Sequence, residues 1–379
     1  MKARLATIAK LLAAVLLGWY VLSQIELNDQ VVIAAASEGA EASVLLGRLE
    51  GDWRSDAWTF VPADGGEVLR GGDPRLQPQP GFRTALASLH VGWCVLGFAA
   101  WGVLLALSGW RWHRLLGAAE VPCTLARAMR LTFIGNFFNN VMFGATGGDV
   151  VRAVMVTRGL QQNRWRAALS VLVDRLIGLY VLLLIAAAVL TLAWSSGDFA
   201  RVPALHKVWL LSLALLGVAT LGAACYLSAR ARRALGLEAL LARLPAHATI
   251  EKVDGALTLY RQNARTVFGA LLLSLPLQAA GILSFYAFAR ALAAPIGFLD
   301  TAVIFPVVQT VSALPLAPAG WGVGETLYGY FFARYGAGFT IGVAASVLFR
   351  LASQVGWGLV GGALWALGRE RRPQPQEIA

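Results

Sequence analysis

Residues 135–152, GNFFNNVMFGATGGDVVR, bring three asparagines, several glycines and the pair Asp149/Arg152 into an otherwise apolar chain. Backbone in hydrocarbon must satisfy its own hydrogen bonds, so a polar, glycine-rich break is tolerated only where protein buries it or where it lines a wet cavity. A second break, LPLAPAGWGVGE at 314–325, also ends in an acid, Glu325. Each is followed by an apolar span carrying one arginine, Arg175 after the first and Arg350 after the second. Arginine pairs two phosphate oxygens through its planar fork and stays protonated. The chemistry these residues could do is therefore compensation of a phosphate charge inside a bilayer. Arg152, Arg175 and Arg350 are the expected headgroup ligands. Asp149, Asp174 and Glu325 would balance them when the site is empty, or carry a coupling proton. Helix N-termini at Gly147, Gly148 and Gly322 would add backbone donors. Asn136, Asn139 and Asn140 would cap the broken helices or contact headgroup hydroxyls. Against these stand plainer readings: glycines that let helices pack closely, and Asp174–Arg175 as a structural ion pair at the interface.

Other chemistry is not indicated. His90, His113, His206 and His247 are scattered, and Cys94, Cys123 and Cys225 have no metal-ligand spacing. There is no Walker A pattern. No cofactor, metal or catalytic cluster is expected, and any drive for movement must come from an ion gradient, the membrane potential or a lipid gradient. The net charge of +11 does not point to nucleic acid, because the basic residues flank apolar spans as topology signals do.

The elements that must hold these residues are membrane helices. The chain is 58% hydrophobic and 14% charged, against about 25% charged in soluble domains. Its mean hydropathy is +0.63. Spans are expected at 5–23, 88–109, 167–193, 208–228, 266–289 and 340–367, with a shorter apolar run at 300–316. The aromatic-basic collar WRWHR at 110–114 reads as a membrane interface on the inner side. Residues 123–157 have basic flanks that both read as cytoplasmic, so the segment is expected to enter and return as a hairpin. Residues 229–265 are strongly basic and read as a cytoplasmic loop with an amphipathic helix near 247–263.

Residues 25–86 differ. They carry ten acidic and five basic residues, with WTFV and EVLR as short strands around the turns PADGG and RGGDP. A small β-containing cap on the outer face is expected. The fold class is an all-α polytopic membrane protein with about six to eight transmembrane helices, two re-entrant or broken segments in an inverted pair, and that cap. The domain reading is a 1–24 anchor, a 25–86 cap, an 87–367 transmembrane domain and a 368–379 tail. Lysines and arginines divide 21 inside to nine outside, with Arg175 and Arg350 in spans, so both termini are expected in the cytoplasm.

At three places the chain resembles the lysylphosphatidylglycerol synthase transmembrane region family, also called the flippase-like domain family. These are IGNFFNNVMFGATGGDVVR at 134–152, VLVDRLIGLYVLLL at 171–184 and LPLAPAGWGVGE at 314–325. The resemblance implies a multi-pass bacterial inner-membrane protein that moves phospholipids or polyprenyl-phosphate-linked intermediates between leaflets. Membrane lipids would be its partners, with a glycosyltransferase or envelope-biogenesis protein as a further one. The cytoplasmic aminoacyltransferase domain joined to the best-known members is not expected, because only twelve residues follow Leu367. The chain departs from the family pattern at Phe143, often proline, at Gly324, usually arginine, and in its longer cap. The rival functions are an accessory subunit of a lipid glycosyltransferase and a lipid-phosphate transferase.

Overall fold

The computed structural model describes residues 26–33, 43–53, 55–141, 147–195, 204–227, 257–312 and 322–368, with Trp19, Ser23 and Gly255. The expected 5–23 span and nearly all of 229–256 lie outside the described residues. The chain divides into two compact units, Met1–Phe98 with Leu283–Leu351, and Ala99–Ile282 with Ala352–Ala379.

The first unit opens with the cap. Strands β1 (Asp29–Ile33), β2 (Ser43–Gly51), β3 (Trp58–Pro62), β4 (Leu69–Arg70) and β5 (Leu76–Gln79) form one antiparallel sheet in the order β4-β3-β2-β1-β5. WTFV falls in β3 and the end of EVLR in β4, as the alternation predicts. Val31, Leu49, Trp58 and Phe60 make its core, since alternate strand residues face one side. Asp29 is buried beneath them and is satisfied by two backbone N–H groups, from Leu49 at 2.8 Å and Gly81 at 2.7 Å. The carboxylate thus ties β2 to the segment leading into helix α1 (Phe82–Ala87).

The same unit holds α8 (Phe298–Ser312), α9 (Val323–Arg334) and α10 (Phe339–Arg350). Phe285 stacks on Tyr328 with ring centroids 4.0 Å apart, and meets Phe305, Phe332 and Phe349 edge-on or tilted. This aromatic core fixes α9 and α10 against the end of α7 (Ala264–Ala291).

The second unit is built from most of α2 (Val91–Ala118), then α3 (Leu125–Val141), α4 (Gly147–Thr157), α5 (Arg164–Ser195), α6 (Ala204–Leu227), most of α7, and α11 (Trp357–Leu367). A π-helical turn, Leu351–Gly356, joins α10 to α11. Among the described residues, five helical runs are long and apolar enough to cross a membrane: Val91–Ala118, Arg164–Trp194, Leu205–Cys225, Ala264–Ala291 and Phe339–Leu367. Their outward faces are apolar. On α6, Leu210, Leu211, Val218 and Leu221 are all exposed, a pattern that fits lipid rather than water as the solvent.

The two short-helix pairs sit where the sequence breaks. At about 1.5 Å per residue, the 17 residues of α3 and 11 of α4 are each shorter than the roughly 30 Å hydrocarbon layer. They run antiparallel. Arg127 donates to the carbonyls of Met155 and Arg158 near one end, and Gly148 donates to Asn139 near the other. This is a helical hairpin, as the matching basic flanks of 123–157 predict. In the first unit, α8 ends before the second break and α9 begins after it.

Candidate functional site

In the second unit the charged residues converge on Asp174, in the middle of α5. Arg111 on α2 donates from Nε to Asp174 Oδ1 at 2.8 Å, and from Nη1 to Ser274 Oγ on α7 at 2.7 Å. Arg152 on α4 reaches the other oxygen, Oδ2, at 3.4 Å, and Asp149 Oδ1 at 3.5 Å. Arg175 donates to Asp149 Oδ2 at 2.6 Å. The Arg152 guanidinium lies 4.2 Å from the Trp112 ring centroid, and Trp112 is itself pinned by donating to Ser170 Oγ. Four helices thus contribute to one network: α2, α4, α5 and α7.

Burial grades along this network. The side chain of Arg175 is 52% exposed, that of Asp149 15%, Arg152 9%, and those of Asp174 and Arg111 4% and 6%. Arg175 stands beside Leu172, Leu176 and Leu179, which face outward on α5. The charges therefore form a continuous line from the outer face of a helix to its packed interior. Its members are held unequally. Arg111 makes short bonds, whereas Arg152 makes two long ones and its buried Nε has no partner.

Two sequence readings are corrected here. The collar arginine Arg111 is not an interface marker: it is 5% exposed and paired. The helix continues to Ala118, and this extra length carries residues 111 and 112 into the core between α5 and α7. Asp174 and Arg175 do not pair with each other in an interfacial bridge, since neighbours on a helix point about 100° apart. Asp174 turns inward to Arg111 and Arg152, while Arg175 turns outward to Asp149. At Gly324, where the chain departs from the family pattern, another arginine comes close. Gly324 has no side chain, and a Cβ there would stand 2.7 Å from Arg350 Nη2. That gap admits Arg350 from α10, whose Nε lies 2.5 Å from Glu325 Oε1.

Among the described residues beside the two breaks, several polar groups bond within the protein. Gly148 N–H goes to Asn139 Oδ1 at 2.8 Å, the capping role expected of an asparagine. Gly147 is buried at the start of α4. Asn136 donates to the Ser353 carbonyl within the π turn at 3.1 Å, where the helical ladder is broken. Gly322 has φ of 83° and donates to Glu325 Oε2 at 2.7 Å. The Asn140 side chain lies outside the described residues. Around the Glu325–Arg350 pair, the hydroxyls of Ser312, Tyr328 and Ser346 are buried without a hydrogen-bond partner.

The two units repeat one local design. A glycine break opens a short helix, an acid stands in its first turn, and an arginine further along the chain pairs with it. The separation is 26 residues for Asp149 and Arg175, and by subtraction 25 for Glu325 and Arg350. The sequence showed these residues as candidates. It gave no sign of Arg111 or Ser274 beyond Gly178, one turn after Asp174, where a Cβ would come 3.3 Å from the Arg111 guanidinium.

Apolar spanning helices around buried, arginine-rich ion networks define a polytopic membrane protein with internal polar sites. The chain belongs to the lysylphosphatidylglycerol synthase transmembrane region family, whose model matches residues 80–361. No curated protein matches it.

Proposed function

We propose that the protein is a lipid translocase of the bacterial cytoplasmic membrane, without enzymatic activity, that moves a phospholipid or polyprenyl-phosphate-linked lipid between leaflets. The observation that carries this reading is Arg152. It is a buried guanidinium with an unpartnered Nε and two stretched carboxylate contacts. A charge held so loosely in the interior is poised to exchange its carboxylates for phosphate oxygens, which the guanidinium fork fits better than a point charge would. The graded line from Arg175 inward gives a phosphate a route from the lipid-facing side of α5. Membership of the family supports the same reading. In this picture Asp149 and Asp174 hold the arginines while no lipid is bound, and both termini face the cytoplasm.

The test is headgroup translocation by purified protein in liposomes, with fluorescent phospholipids and a polyprenyl-phosphate lipid compared. Arg152→Lys keeps the charge and loses the fork. Its rate is expected to fall at least about tenfold, the equivalent of one charge-assisted hydrogen bond. A folded Arg152→Lys protein moving lipid at the parental rate overturns the role of the fork. No translocation of any lipid by the parent protein overturns the function.

A further inference from the structure

A second polar cavity lies in the first unit, away from every arginine discussed above. Its volume is about 240 Å³, and it lies between the cap sheet and the start of α10. One wall is the face of the sheet opposite the cap core. Val31 points into that core, so its neighbour Gln30 points the other way. Gln79 on β5 is the direct cross-strand partner of Gln30, which sets two amides side by side. Trp53, half-buried and packed in part against the cap core, brings an indole edge to the lining, and Glu26 a carboxylate. The opposite wall is Gly338 with Phe339, Thr340 and Ile341, the first turn of a 12-residue helix without a side-chain cap. The first N–H groups of a helix have no intrahelical acceptors. The Glu26 N–H donates to Thr340 Oγ1 at 3.2 Å, fastening the two walls together.

The lining thus offers donors and acceptors in one small space: amide N–H₂ and helix N–H groups, amide oxygens, and a carboxylate. None of the described lining residues is basic, and the carboxylate opposes an anion. An apolar chain would strand the polar groups without partners. The ligand class that both donates and accepts, carries no charge and has an apolar face to lay on an indole is a sugar ring. We infer that the cavity binds an uncharged hexose-sized sugar, presented free or as the headgroup of a glycolipid. This site is independent of the proposed phosphate site and would give the cap a role in selecting what the membrane helices handle.

Saturation-transfer NMR on the full chain in nanodiscs tests it in two arms. One arm adds glucose, galactose, mannose or N-acetylglucosamine, and the other embeds monoglucosyl diacylglycerol in the nanodisc. Transfer to the sugar ring is expected in at least one arm, and the arm identifies the source. Gln79→Ala and Trp53→Leu, both checked for parental thermal unfolding, should weaken it about tenfold, as one lost hydrogen bond or stacking contact would. If a variant unfolds early, Gln30→Ala replaces it. No transfer in either arm, transfer unaltered in the folded variants, or displacement of the sugar by inorganic phosphate overturns the proposal.

Discussion

Arg111 is the residue that the site most depends on for its shape. It spends three of its five N–H donors inside the protein, on Asp174 Oδ1, Ser274 Oγ and the Asp174 carbonyl, so α2, α5 and α7 are tied together through it. Arg152, on the same carboxylate, is held by longer contacts, 3.4 Å to Asp174 and 3.5 Å to Asp149. Removing one member of a buried ion pair costs about 3–5 kcal/mol because the other charge is left unpaired. Arg111→Ala is expected to destabilise the protein by that much, measured as unfolding in detergent. Arg111→Ala with Asp174→Asn should recover part of the loss. If the single variant is as stable as the parent, the Arg111–Asp174 pair is not structural. In the cap, Arg75 donates to Asp73 and holds its carboxyl below the usual carboxylate range. A depressed carboxylate pKa contributes stability that is present above the unfolded value and lost as pH falls through the folded one. The Asp73 carboxyl should therefore titrate below an ordinary aspartate in carbon NMR, and the depression should shrink in Arg75→Ala, which keeps only the backbone N–H donor.

At the scale of elements, the broken helices are closed by contact rather than by length. A Cβ on Gly148 would lie 1.9 Å from the Gly135 carbonyl oxygen, and one on Gly361 would lie 2.0 Å from that of Phe133. Both are helix–helix crossings inside one unit, α4 on α3 and α11 on α3. Backbone cannot yield as a flexible side chain does, so each Gly→Ala should cost at least about 1–3 kcal/mol, the range for overpacking. Gly217 on α6 meets nothing within 4 Å. There, Gly→Ala should be neutral or stabilise by up to about 1 kcal/mol, from helix propensity. Thermal unfolding of the three variants separates the cases, and equal effects at 148 and 217 would refute the packing account. Gly148 thus serves close packing, and the acid and arginines near it carry the charge.

For the whole molecule, sidedness follows from the distribution of lysine and arginine. With Cys94, Cys123 and Cys225 replaced, Ser55→Cys and Ser228→Cys should be labelled by a membrane-impermeant maleimide from opposite faces. Labelling of both from one face would overturn the proposed topology. The two units use one local recipe, an acid in the first turn of a short helix and an arginine 25 or 26 residues later. They apply it to different effect. Among the described residues, one acid–arginine pair joins a network of three arginines and two aspartates, while the other lies beside three unpartnered hydroxyls.

The sequence alone determined the class, the spanning helices, the cap strands and two places where polar residues interrupt apolar ones. These are local properties: hydropathy over a window, alternation over a few residues, glycine and proline at fixed positions. It also marked Asp149, Arg152, Asp174, Arg175, Glu325 and Arg350, because a charge in an apolar run is costly unless it has a partner. Only the tertiary structure decided which partner each has. Arg111 sits next to tryptophans that read as an interface, and Asp174 is joined to Arg175 in the chain but not in space. Pairing depends on which face of a helix a residue occupies and on what stands opposite. Residues 63 positions apart, as Arg111 and Asp174 are, leave no local pattern by which to find each other.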